Sequence, residues 1–205
     1  MWSEHGRRVA AASAVMAAAL AVVSCGIGGG PGGTTGSAPA RGESTPAPNY
    51  DARRLGSTAR FRVEDARGSA LLLTSFATWC TECRAELPAI ERLYERHRSD
   101  RLVVIGVSID DGSDEASRDF AHKLGVTFDL VHDEDHNYQA AFGTLGVPAS
   151  ALVDRTGRLV KVWQGGFDVA SSDTEALIEA ALKGEGRPYE SGFPTPVWSG
   201  GDSNP

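Results

Sequence analysis

The chain has 205 residues, a formal charge of −7 and only three cysteines. An acidic chain with no basic stripe argues against nucleic-acid binding, and three cysteines are one short of an all-cysteine structural zinc site. About 130 residues between two Gly/Ser/Pro-rich ends amount to one domain by ordinary size statistics.

At the N-terminus, Arg7 and Arg8 precede an apolar run from Val9 to Val23, then Ser24-Cys25-Gly26. Charged, then apolar, then small residues form the signal-peptide pattern, and the run is too short for a comfortable membrane span. Val22-Val23-Ser24-Cys25 resembles the bacterial lipoprotein box. That resemblance implies lipid on the Cys25 thiol, cleavage before it and a signal over residues 1–24. Removing the signal takes away a net +1 and leaves −8. The alternative is ordinary secretion with Cys25 as a spare thiol, an odd cysteine in an exported protein. Twin-arginine export fits weakly, because Gly6 and Val9-Ala10 flank the pair poorly. Residues 25–54 carry few large apolar groups and read as a flexible linker. Residues 184–205, again rich in Gly, Ser and Pro, read as a flexible tail.

The domain, 55–183, alternates strand and helix patterns. Phe61–Glu64 predicts a short strand and Leu71–Phe76 a buried one. A helix is predicted from Cys80 or Thr81 to Arg98, with Leu87, Ile90, Leu93 and Tyr94 on one face. Leu102–Ser108 is a second buried strand. Asp114–Leu124 is a helix capped near Ser113, Phe128–Val131 a short extended piece, and Asn137–Phe142 a helix ended by Gly143. Ser150–Val153 and Leu159–Trp163 form a hairpin through Asp154-Arg155-Thr156-Gly157. A last helix, capped by Ser172 or Asp173, stops at Gly184. The pattern predicts an α/β fold, a mixed sheet with helices on both faces.

Trp79-Cys80-Thr81-Glu82-Cys83 stands where the strand ends and the long helix begins. That places Cys80 at a helix N-terminus, where unpaired N–H groups and the positive dipole end stabilise a thiolate. Cys83, three residues on, is close enough to close a short disulfide, and such a pair exchanges with cysteines of other proteins. A structural disulfide is the poorer reading, since so short a loop removes little unfolded-state entropy. His132 and His136 have a zinc-ligand spacing, which keeps half a zinc site as an alternative.

Four segments, in order, resemble the thioredoxin fold and within it the TlpA/ResA-like (DsbE-like) membrane-anchored thiol–disulfide oxidoreductases. They are Phe76 to Pro88, Val104 to Ser108, Leu145-Gly146-Val147-Pro148, and Leu152 to Leu159. The resemblance implies a cis Val147–Pro148 bond with its loop packed against a redox-active Cys80–Cys83 disulfide. It implies Cys80 as nucleophile, Cys83 as resolving thiol, Trp79 as flanking aromatic and Val147 and Pro148 as substrate-contacting residues. It also implies Glu86 as a proton partner of the cysteines, the alternative being a solvated helix acid. The activity implied is protein-disulfide reduction without cofactor or bound metal. Substrates would be exported cysteine-containing proteins, apocytochrome c among them, with electrons from a membrane thiol–disulfide carrier.

The chain departs from these relatives at Glu82, where many have proline, and at Ala149-Ser150, where threonines are common. Thr74 stands where thioredoxins proper carry a buried aspartate. Three rival readings are an oxidase or isomerase of exported proteins, a Sco-type copper chaperone, and a peroxiredoxin. Sco proteins have one more residue between the cysteines, and no P-x-x-x-T-x-x-C loop is present for a peroxiredoxin. The clusters Asp110-Asp111, Asp114-Glu115 and Asp133-Glu134-Asp135 read as solvated faces without calcium-loop spacing.

Overall fold

The computed structural model describes residues 45–186 and Tyr189. Cys25, the signal, the first part of the linker and nearly all of the tail lie outside the described residues. Seven strands form one mixed sheet in the order β2-β1-β5-β4-β3-β6-β7. They are β1 Asp51–Arg54, β2 Arg60–Arg62, β3 Ala70–Phe76, β4 Leu102–Ser108, β5 Asp129–His132, β6 Ala149–Val153 and β7 Leu159–Gln164. The helices are α1 Thr81–His97, α2 Asp114–Lys123, α3 Asn137–Phe142 and α4 Ser172–Lys183.

β3, β4 and β5 run parallel, and β6 lies antiparallel to β3. The central strand β3 is buried along its whole length, as expected of a continuous apolar run covered on both sides. Its side chains alternate. Leu72 and Phe76 face the core shared with Leu87, Ile90 and Leu93 of α1, Phe120 of α2 and Ile178 of α4. Leu71 and Leu73 face the opposite core, with Tyr138 and Phe142 of α3 and Tyr50 and Phe61. Helices therefore cover both faces. Gly106 of β4 leaves the space in which Phe76, Phe128 and Leu130 meet; a Cβ there would stand 2.6 Å from a Leu130 methyl.

The helix boundaries follow local chemistry. Ser113 and Ser171 cap α2 and α4 by accepting from Ala116 N–H and Thr174 N–H, supplying partners that a helix start otherwise lacks. The α4 cap is Ser171, one residue before the predicted Ser172. Gly143 and Gly184 end α3 and α4 in the left-handed region, where glycine carries no Cβ penalty.

Two expectations need correction. The sheet begins inside the segment read as linker: β1 joins β5, and Thr45–Tyr50 packs onto the domain. The charged strand Asp-Ala-Arg-Arg is held by ion pairs, Arg53 with Asp114 and Glu134, and Arg54 with Asp129. Ala47 N–H donates to Gly157 O and Leu159 N–H to Thr45 O, both 3.0 Å, fastening this segment to the β6–β7 turn. The strand expected over Phe61–Glu64 stops at Arg62, and Val63–Ala66 forms a 3₁₀ turn instead. At the other end Tyr189 N–H donates to Leu159 O at 3.1 Å.

Candidate active site

β3 delivers the redox pair. Past Phe76 the chain turns, with Cys80 N–H donating to Ala77 O at 3.1 Å, and Cys80 becomes the N-cap of α1. Its sulfur accepts from Cys83 N–H at 3.1 Å. That donor is one of the amides a helix start leaves unpaired, and it faces the atom that carries negative charge when the pair is reduced. Cys80 and Cys83 are joined as a disulfide with Cα atoms 5.4 Å apart. Both are buried in this oxidised form, Cys80 3% exposed and Cys83 1%. Cys80 is therefore less open than its helix-end position suggests. Glu82 lies in the first turn of α1, exposed.

The neighbouring strand brings the second loop. Ser75 pairs with Ala149, so Pro148 leaves the sheet at the end where Cys80 does. The Val147–Pro148 bond is cis, Pro148 is buried and Val147 half-buried. Ser75 Oγ donates to Ala149 O and accepts from Ala149 N–H, both at 3.1 Å. The buried Tyr138 hydroxyl lies 3.2 Å from the same carbonyl. These contacts fix the residue that follows Pro148. Thr74, in the place of the thioredoxin aspartate, is buried and accepts from Ser150 Oγ at 3.0 Å.

Glu86 lies one turn of α1 beyond Cys83. It is 8% exposed, and neither carboxylate oxygen has a hydrogen-bond partner among the described residues. Oε2 lies under Gly166, where a Cβ would stand 3.6 Å from it and 4.0 Å from Pro148 Cγ. Burial disfavours the charged carboxylate and raises its pKa to about 7. Glu86 is thus no solvated helix acid. A carboxyl group titrating near neutrality beside a thiol pair has the protonation range that general acid–base work requires.

Among the described residues two large apolar side chains stand exposed, Trp79 at 68% and Leu145 at 83%. One precedes Cys80 and the other lies in the Pro148 loop, which Gln164 clasps by accepting from Leu145 N–H and donating to Gly143 O. Trp163 stacks on Phe167 with centroids 4.3 Å apart, walling the Gly166 side.

The acidic clusters are not uniformly solvated. Asp110 and Asp133 are buried, and Asp133 accepts from Asn137 and Tyr138 N–H at the start of α3. His132 is committed through both nitrogens, Nδ1 to Asp114 Oδ1 at 2.9 Å and Nε2 to Asp110 O at 2.8 Å. Among the described residues no group of three or more His, Cys, Asp or Glu is set to hold a metal ion.

Residues 44–162 match the AhpC/TSA family. The chain belongs to that family. Among its relatives, thiol-disulfide oxidoreductase ResA of Bacillus thuringiensis (strain Al Hakam) is 25% identical over 137 residues, covering 67% of this chain and 75% of that protein. Thioredoxin-like protein YneN of Bacillus subtilis (strain 168) is 30% identical over 125 residues, covering 60% and 72%. The structure of MTB DsbF, in mixed oxidised and reduced forms, aligns with a TM-score of 0.57 at 26% identity, covering 69% of this chain and 99% of that one. This AhpC/TSA member is a ResA-like thiol–disulfide oxidoreductase with a Cys80–Cys83 redox disulfide.

Proposed function

We propose that this oxidoreductase works as a reductant of disulfides in exported proteins, anchored by lipid on Cys25. The observation that carries the chemistry is a helix that caps itself with Cys80 and, one turn beyond Cys83, buries Glu86, whose pKa is raised to about 7. The Cys80 thiolate attacks a substrate disulfide, forming the mixed disulfide and releasing one substrate sulfur as thiolate. Glu86 takes the Cys83 proton, and the Cys83 thiolate attacks Cys80 Sγ. The second substrate sulfur then leaves, so two electrons pass to the substrate and the Cys80–Cys83 disulfide is restored. A membrane dithiol carrier reduces it again. Trp79, Val147 and Pro148 contact the substrate around its cysteine, and apocytochrome c is one substrate class that fits.

The reductant direction is supported by Glu82, whose charge between the two cysteines disfavours a thiolate there. A strong oxidant draws its power from a stabilised reduced thiolate. Solvent screens an exposed carboxylate, so the effect on Cys80 is small, under about one pKa unit, or about 30 mV. The experiment is equilibration of the Cys80–Cys83 couple with glutathione. A potential near the thioredoxin value of about −270 mV supports reduction, and one above about −150 mV assigns the chain to oxidation. Mass spectrometry of the native N-terminus tests the anchor: added lipid mass on Cys25 supports it, and cleavage elsewhere removes it.

A further inference from the structure

We propose that Asp110 is a positioning residue for the nucleophile: its carboxylate grips the turn that presents Cys80. This rests on the reading of Cys80 as the attacking sulfur. Asp110 follows the end of β4, whose neighbour Ile109 donates its N–H to Phe76 O at 3.0 Å. Asp110 is 7% exposed, and its carboxylate reaches across to the turn that follows β3. Thr78 N–H donates to Oδ1 at 3.0 Å and Oδ2 at 3.1 Å, and Thr78 Oγ1 donates to Oδ1 at 2.9 Å. Ser108 Oγ and Ser117 Oγ each lie 3.1 Å from Oδ2 and 2.9 Å from each other. Two hydroxyl protons thus serve three contacts, and at least one serine bonds the carboxylate at any moment.

Thr78 is held on its other side as well. Arg84 Nη2 donates to Thr78 O at 2.9 Å, while the Arg84 guanidinium lies 4.8 Å above the Phe120 ring. N–H, hydroxyl and carbonyl of the residue two before Cys80 are all engaged, inside the turn closed by Cys80 N–H on Ala77 O. His132 Nε2 pins the Asp110 main chain at its carbonyl. No other contact among the described residues fixes Thr78 N–H. Without Asp110 a half-buried amide has no partner, and the turn that sets Cys80 Sγ over Cys83 N–H loses its anchor.

The test uses the reduced full chain and the pH dependence of Cys80 alkylation by iodoacetamide, with peptide mapping. In the parent chain, preferential labelling of Cys83 defeats the assignment of Cys80 as nucleophile, whatever Asp110 does. With Cys80 labelled first, Asp110→Ala is expected to raise the Cys80 pKa by about one unit, slowing alkylation at pH 7 about tenfold, as the thiol moves toward its free value. Asp110→Asn keeps an acceptor for Thr78 N–H and leaves the Cys80 pKa at or below that of the parent. Thr78→Ala removes one bond of the grip, provides a milder variant where Asp110→Ala fails to fold, and slows alkylation about threefold. An unchanged or lowered Cys80 pKa in folded Asp110→Ala, or in Thr78→Ala where it does not fold, overturns the proposal.

Discussion

The disulfide lies between two flanks built on opposite principles. On the β4–α2 flank, Asp110, Ser108, Ser117, His132, Asp114 and Arg53 form a continuous polar network. On the Pro148 flank, Glu86 is buried against Gly166 and Pro148 with neither oxygen partnered. Both flanks contain carboxylates, and the environments push them apart. Asp114 is held below the usual carboxylate range, chiefly by the Arg53 hydrogen bond, whereas desolvation lifts Glu86 to about 7. A bonded carboxylate supplies fixed geometry, and an unbonded buried one supplies a proton that moves.

The largest effect lies at the pair between the flanks. Cys80→Ser is expected to abolish exchange, while Cys83→Ser traps a mixed disulfide through Cys80, visible on non-reducing gels. Trapping by Cys80→Ser instead would reverse which flank attends the nucleophile.

Next comes the unbonded flank. Glu86→Gln should slow resolution of the mixed disulfide about a hundredfold at pH 8, and remove the loss of rate expected of the parent chain below pH 7. The same group shapes stability. Its folded pKa is raised, so its stabilising contribution is full below pH about 4.5 and lost as pH rises to about 7. The shift from 4.5 to about 7 corresponds to about 3 kcal/mol. Urea melts at pH 4.5 and pH 8 should therefore show Glu86→Gln gaining about 3 kcal/mol relative to the parent between the two. A pH-independent difference would place no titration at Glu86.

The smallest effect belongs to the bonded flank. The Asp114 pKa is lowered, so its contribution is present above pH about 3.8 and lost as pH falls further. Its side chain is partly exposed, and solvent weakens such pairs, so Asp114→Asn should cost about 1 kcal/mol or less at pH 7. Urea melts at pH 7 and pH 2.5 check this. A loss equal at both would mean that Asp114 acts through shape alone and that the contrast between flanks is not electrostatic.

How legible each flank is in the sequence differs for a physical reason. The strand, the helix and the placement of Cys80 at their junction follow from local patterns, and each appears where expected. Glu86 is singled out by the family resemblance, but its burial depends on Gly166 and Pro148, which no helical spacing reveals. Asp110 is misread as solvated because its partners Thr78, Ser108 and Ser117 are ordinary polar residues on three different elements. β1 is missed because Arg53 and Arg54 look like linker charges until Asp114, Glu134 and Asp129 are brought beside them. A nearest signal for Asp110 is its place immediately after a buried parallel strand, at the strand's C-terminal end, where sites in open sheets collect.

The fastening of Thr45 and Ala47 to the β6–β7 turn fixes where the chain enters the domain. β6 starts at the disulfide end of the sheet and finishes at that turn, so the chain enters the domain at the pole opposite Cys80. The backbone that leads into β1 is thereby tied down at the far end of the sheet, and the Cys80–Cys83 end stays clear of it.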